Sequence, residues 1–224
     1  RLRYRIDGVI QTVANFHSNV YPNIISRVKL LGDMVLNVND VSQDGRFSVK
    51  VSEDNNIDCR VSILPGSYGE SIVLRLLNQD ISELKMENLG LRGLAYERLA
   101  GQTSRTEGVI VNSGPTGSGK TTTLYSIINK LNDSEKKIIT IEDPVEYRMP
   151  GIVQTQVSER HGYTFAKGLR AIVRQDPDIL LVGEIRDDET ASIAMQSAMT
   201  GHLVLTTIHA NSSAAVVSRM MDLG

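Results

Sequence analysis

The sequence predicts an α/β domain with a mainly parallel sheet and helices on both faces, preceded by a small α+β domain. Three observations carry that expectation. From residue 107 onward, apolar strands alternate with helical stretches of about 10 to 15 residues, the pattern of repeated strand–helix units. One of the strand-to-helix junctions holds Gly114-Pro-Thr-Gly-Ser-Gly-Lys-Thr121, a glycine-rich turn ending in Lys-Thr. Before residue 79 the chain instead reads as a hairpin, one helix and three short β-rich runs.

In chain order, Leu2 to Val13 roughly alternates apolar and polar residues around Asp7-Gly8, which predicts a hairpin turning at that dipeptide. Pro22 to Leu31 predicts a helix, with Ile24, Ile25, Val28 and Leu31 at helical spacing and Gly32 just past its end. Strands are expected at Phe47–Val51, Ile57–Ile63 and Ile72–Leu77, separated by Asp/Asn and Pro/Gly turns. These elements form the expected amino-terminal domain, 1–78. The polar stretch 79–106, broken by Gly90, Gly93 and Gly101, is expected as a linker with a short helix at Leu91–Ala100. The second domain, 107–224, carries expected strands at Val109–Asn112, Ile138–Glu142, Ile179–Gly183 and Leu203–Ile208. Its expected helices are Lys120–Leu131, Phe165–Gln175, Asp187–Thr200 and Ser212–Leu223.

Composition narrows the function. Hydrophobic residues make up 41% and charged residues 22%, as in an ordinary globular protein. The formal net charge of -2, from 24 basic and 26 acidic residues, provides no positive excess to attract a polyanion, which argues against nucleic acid as a partner. Cys59 is the single cysteine, so this sequence can build neither an internal disulfide nor a multi-cysteine zinc site, and no zinc is expected. A reducing compartment, the cytoplasm, fits this usage. The apolar runs, such as Ile179–Val182, fall far short of the roughly 20 residues of a membrane helix. An opening at Arg1 and an end at Gly224, just past an expected helix, read as part of a longer protein truncated at its carboxyl end.

Gly114–Thr121 satisfies G-x-x-x-x-G-K-[ST] and lies after an expected strand and before an expected helix, as a P-loop requires. Gly114, Gly117 and Gly119 leave the loop backbone, which runs through Pro115, Thr116 and Ser118, free of Cβ obstruction, so its N–H groups from Thr116 onward can turn toward phosphate oxygens beside a positive helix end. Lys120 is expected on the β- and γ-phosphates and the Thr121 hydroxyl on Mg²⁺, with Thr122 completing the nucleotide-binding segment. Such a site also needs carboxylates at neighbouring strand ends. Asp178-Ile-Leu-Leu-Val-Gly-Glu184 delivers Glu184, a second Mg²⁺ candidate directly or through water. Ile138–Pro144 delivers Glu142 and Asp143. A lone strand-end carboxylate is commonly just solvated, but two such strands behind one P-loop point to catalysis. Arg170 and Arg174, four apart, form either a cationic edge or a solvated face. His202 and His209 bracket a strand, as polar caps or with one of them sensing a γ-phosphate.

Together these segments resemble the type II secretion and type IV pilus assembly ATPase family, which includes the GspE, PilB and PilT types. Gly114–Thr121 looks like its Walker A, Ile138–Tyr147 like its aspartate box, Ile179–Asp187 like its Walker B with glutamate as the carboxylate, and Thr200–His209 like its histidine box. Asp44-Gly-Arg-Phe, Cys59-Arg-Val-Ser and Gly69–Arg75 look like its second amino-terminal domain, so the resemblance covers nearly the whole chain. It implies a RecA-like P-loop fold and an ATP-hydrolysing bacterial motor, a homo-hexamer docked on inner-membrane secretion or pilus assembly proteins. It assigns Glu184 to the Walker B role and Glu142 to positioning or activating water. His202 and His209 become coupling residues, with Arg170 and Arg174 near the site, and Arg46, Arg60 and Arg75 become guanidinium groups that approach the phosphates. A DNA-transfer ATPase of the same superfamily and a nucleotide-gated binding module without turnover are the alternatives.

Overall fold

The computed structural model describes residues 1–6, 8–51, 56–78 and 81–223, with the side chain of Asn78 outside that description. The chain separates into two compact units, Arg1–Asp80 and Ile81–Gly224.

In the first unit, β1 (Leu2–Ile6) and β2 (Val9–Ala14) pair antiparallel as a hairpin. Gly8, at φ 82°, occupies the left-handed region that the turn needs, while Asp7 lies outside the described residues. Helix α1 (Tyr21–Leu31) follows, with proline in its first turn. Strands β3 (Gln43–Lys50), β4 (Asn56–Leu64) and β5 (Ser71–Asn78) form an antiparallel meander in the order β3-β4-β5. Val28 of α1 packs on Val61 and Ile63 of β4, the small core of this unit. Gly45 lets β3 approach the end of α1: a Cβ there would stand 2.4 Å from the Gly32 carbonyl oxygen. Lys29 is buried but fully partnered, reaching Glu70 Oε1 at 2.7 Å, the Val38 carbonyl at 2.7 Å and Asn39 Oδ1 at 2.8 Å.

In the second unit, a 3-10 turn at Met86–Leu89 precedes the first α-helix, α2 (Leu94–Thr103). The unit continues through β6 (Gly108–Ser113), α3 (Lys120–Leu131), β7 (Ile138–Glu142) and β8 (Val153–Gln156), then α4 (Phe165–Val173) and β9 (Ile179–Val182). Helix α5 (Asp188–Met199), β10 (Leu203–Ile208) and α6 (Ser213–Asp222) complete it. The sheet is parallel throughout, in the order β6-β10-β9-β7-β8, so β10 lies between the P-loop strand and β9. Strands β7, β9 and β10 are buried along their whole length, which is why they read as continuous apolar runs. Their alternate residues serve two cores. Ile138, Leu181 and Leu205 pack with Leu124 and Ile128 of α3, whereas Ile141, Leu180 and Val204 pack with Leu169 of α4 and Ala194 of α5.

Two expectations differ from the structure. The described part of the expected linker is packed rather than free. Leu84 and Met86 are buried in the core on the α3 side, the Leu84 carbonyl accepts from Asn129 Nδ2 at 2.9 Å, and the helix starts at Leu94 rather than Leu91. Its apolar residues follow no helical or strand period, so the stretch reads as polar and broken. Strand β8 was not expected, because an edge strand of sequence Val-Gln-Thr-Gln carries one apolar residue and no alternation.

Candidate functional site

All strands of the second sheet run the same way, so their carboxyl ends gather on one edge, where α3 also begins. A cleft of about 440 Å³ opens there, within the range of small-ligand sites. Thr116, Gly117, Gly119, Lys120, Thr121 and Thr122 line one side; Glu142, Asp143, Gly183, Glu184, Thr207 and His209 come from the ends of β7, β9 and β10.

The loop is shaped by its glycines. Gly117 and Gly119 sit at φ 80° and 84°, conformations strained for any residue with a Cβ. Gly114 has a different constraint as well, since a Cβ there would meet Ser118 Oγ at 2.7 Å. Lys120 Nζ donates to the carbonyl oxygens of Gly114 and Pro115, each at 2.9 Å, and so spans the loop. Helix α3 has Gly119 at its amino-terminal cap position and no side-chain cap, leaving its first N–H groups directed toward the cleft. By contrast, the three later helices of this unit, α4, α5 and α6, are capped by side chains. Asp187 accepts from Thr190 N at 2.7 Å and Ser212 from Ala215 N at 3.2 Å.

Glu184 follows β9 and is held from both oxygens. Oε1 lies 2.6 Å from Arg186 Nη2 and Oε2 lies 3.5 Å from His209 Nε2. Arg186 also faces Asp143 Oδ2 at 3.7 Å, and its hydrogen bond to Glu184 raises its pKa further. Gly183 keeps β9 close to β7, because a Cβ there would stand 3.3 Å from Glu142 Cα. Thr207 of β10 donates to the Gly183 carbonyl at 2.8 Å, tying the strand ends together.

Glu142 is only 3% exposed. Its Oε2 accepts a hydrogen bond from the Tyr125 hydroxyl, and its Oε1 accepts from Thr140 Oγ1 at 2.5 Å and Gln154 Nε2 at 3.4 Å. Burial raises the Glu142 carboxyl above its ordinary range, opposed by these three donors. Burial, and then the adjacent Glu142 charge, push the Tyr125 phenol well up, so it stays protonated as a donor.

The remaining site candidates are dispersed. His202 precedes β10, at the opposite end from the P-loop. Six strand residues separate it from His209, about 20 Å along the strand. Its Nδ1 lies 2.8 Å from the Ser197 carbonyl at the end of α5. Arg170 pairs with Glu189 of α5, and Arg174 is an exposed residue at the end of α4. Neither lines the cleft. In the first unit, Arg46, Arg60 and Arg75 stand directly opposite one another across β3, β4 and β5, forming a row of three guanidinium side chains on the sheet face away from Val61 and Ile63. Tyr125, Gln154 and Arg186 were not among the expected site residues. Tyr125 shares the apolar spacing of α3 and reads as core, Gln154 lies on the unforeseen β8, and Arg186 looks like any exposed charge after a strand.

The parallel sheet and the glycine loop on α3 define a P-loop NTPase fold. The residues fit an ATP–Mg²⁺ pair, since uncapped N–H groups and Lys120 face the same cleft as the Thr121 hydroxyl and the Glu184 carboxylate. The chain belongs to the family described as Type II/IV secretion system protein, which matches residues 1–224. It is 47% identical over 223 residues to type II secretion system protein E of Pectobacterium carotovorum, covering 100% of this chain and 45% of the relative. It is 44% identical over 223 residues to type II secretion system ATPase E of Vibrio cholerae, covering 100% of this chain and 44% of that relative. The chain thus spans about half the length of the curated relatives it matches. Among solved structures, the pilus retraction motor PilT with bound ADP superposes with a TM-score of 0.77 at 28% identity, covering 99% of this chain and 64% of that one.

Proposed function

We propose that this chain is the Mg²⁺-dependent ATPase core of a cytoplasmic homo-hexameric motor that drives pseudopilus assembly in type II secretion, from the inner face of the inner membrane. The observation that supports this reading is the meeting, in one cleft, of a P-loop with two strand-end carboxylates, Glu142 and Glu184. The names of the relatives, type II secretion system protein E and ATPase E, favour secretion over pilus retraction.

In this reading the N–H groups of Thr116 to Thr121 and the Lys120 ammonium hold the phosphates, and Thr121 and Glu184 hold the metal, Glu184 in part through water. Mg²⁺ supplies charge neutralisation on the β- and γ-phosphates. Glu142 orients the attacking water and takes its proton. Arg46 and Arg60, with Arg75 in the same row, are the proposed guanidinium charge for the transferring phosphoryl group in the assembled ring. We assign coupling to His209, whose ring borders Glu184 at 3.5 Å and therefore senses the same charge. The inner-membrane platform proteins of the secretion system are the proposed partners.

The test is ATP turnover per subunit across a range of protein concentrations, with sedimentation to follow assembly. Specific activity that climbs as hexamers form supports shared sites in a ring. Activity that is independent of concentration, with the protein monomeric throughout, would remove the ring from the proposal.

A further inference from the structure

From the geometry around its hydroxyl, we propose that Tyr125 is a positioning residue for ATP hydrolysis, fixing the Glu142 carboxylate and tying it to the phosphate-binding helix. This inference rests on the ATPase reading above and deepens it.

The phenol oxygen is a junction of three segments. It donates to Glu142 Oε2 and accepts from the backbone N–H groups of Glu146 at 3.2 Å and Tyr147 at 3.4 Å. The ring sits on α3, five residues after Lys120, and meets Tyr147 edge-on with centroids 5.3 Å apart. One hydroxyl therefore links the helix that begins at the phosphate site, the carboxylate at the end of β7 and the loop that supplies Asp143, Pro144 and Glu146 to the cleft wall.

Packing alone does not call for this hydroxyl. Tyr125 is 1% exposed, among Leu124, Ile127, Ile128 and Leu131 of the same helix, where phenylalanine would fill the same space. A buried hydroxyl is costly unless partnered, and here its hydrogen goes to the one oxygen of Glu142 that Thr140 and Gln154 leave to it. With Oε1 held from the strand side and Oε2 from the helix side, the carboxylate has one orientation. In the reaction, the water oxygen bonds to the γ-phosphorus, the bond from that phosphorus to the bridging oxygen breaks, and the water proton passes to Glu142. A carboxylate free to rotate would lose alignment with that water, whereas nucleotide affinity, set by the P-loop, would be untouched.

The test is steady-state turnover and Mg·ATP binding for wild type, Tyr125→Phe, Glu142→Gln and the double variant, with melting temperatures for each. The expected result is a kcat lowered about tenfold or more in Tyr125→Phe, with KM and the nucleotide dissociation constant within about twofold of wild type. In the Glu142→Gln background, Tyr125→Phe should add less than about twofold, because the hydroxyl acts through the carboxylate. An active wild type with an equally active Tyr125→Phe overturns the inference alone, as does an effect of full size in the Glu142→Gln background. A much lower melting temperature together with lost nucleotide affinity would mark the hydroxyl as a structural pin and also overturn it. A wild type that binds ATP without turnover overturns the ATPase reading itself.

Discussion

Replacing Lys120 by alanine is expected to raise the dissociation constant for Mg·ATP by about two orders of magnitude while leaving the fold intact. Nζ now reaches the Gly114 and Pro115 carbonyls, 2.9 Å each, and so stands at the centre of the loop where phosphate oxygens are to be met. Two charge-assisted hydrogen bonds to phosphate contribute about 1.5–3 kcal/mol each. Water at the mouth of the cleft reduces that sum, leaving about 3 kcal/mol, or two decades in affinity at roughly 1.4 kcal/mol per decade. The effect on stability is smaller. Pro115 is exposed and Gly114 partly so, and water replaces the ammonium at both carbonyls. The cost is then about 1 kcal/mol or less, a shift of about 2–4 °C in melting temperature. Titration of a fluorescent ATP analogue in excess Mg²⁺, with a melting curve for each protein, measures both numbers. An affinity within about threefold of wild type in a variant that melts normally would refute the placement of phosphate on this loop.

Two further outcomes follow from packing and charge. Glu142 has its pKa raised by burial, so between its unfolded and folded values the native state holds a proton that the unfolded chain has lost. Stability therefore falls as pH rises through that window and levels off above the folded value; Glu142→Gln should remove this slope. Denaturation of both proteins from about pH 4 to about pH 8 tests the sign, and parallel curves would contradict it. Gly45→Ala should destabilise the first unit by about 1–3 kcal/mol, since the new Cβ meets the Gly32 carbonyl at 2.4 Å and Met34 Cε at 2.7 Å. Its nucleotide affinity should stay at the wild-type value. An unshifted first transition in calorimetry would show that α1 and β3 are not packed as described.

Much of the second unit was legible because its physics is local. Runs such as Ile138–Ile141 and Ile179–Val182 announce strands buried on both faces, and the glycines of 114–119 announce a turn that only they can make. The two histidines are distinguishable on the same local grounds. In a parallel sheet the end of each strand, not its start, meets the P-loop, and that rule separates His209 from His202 without coordinates. Other features depend on tertiary contact. Tyr125 carries a core residue's spacing and gives no local sign that its hydroxyl reaches 17 positions along the chain to Glu142. The arginine row is likewise invisible until the register of β3, β4 and β5 sets residues 46, 60 and 75 side by side. The packed stretch after Ile81 reads as a linker in the sequence because Leu84 and Met86 are buried through irregular turns, where no period betrays them.

The central claim is that the cleft hydrolyses ATP with Glu184 as an essential carboxylate, and Mg²⁺-dependent phosphate release by wild type and Glu184→Gln tests it most directly. The account predicts turnover in the wild type that chelation of Mg²⁺ abolishes, and a fall of about 10²-fold or more in Glu184→Gln with ATP still bound. Equal turnover in both proteins, or ATP bound and never hydrolysed by the wild type under conditions of full assembly, would contradict it.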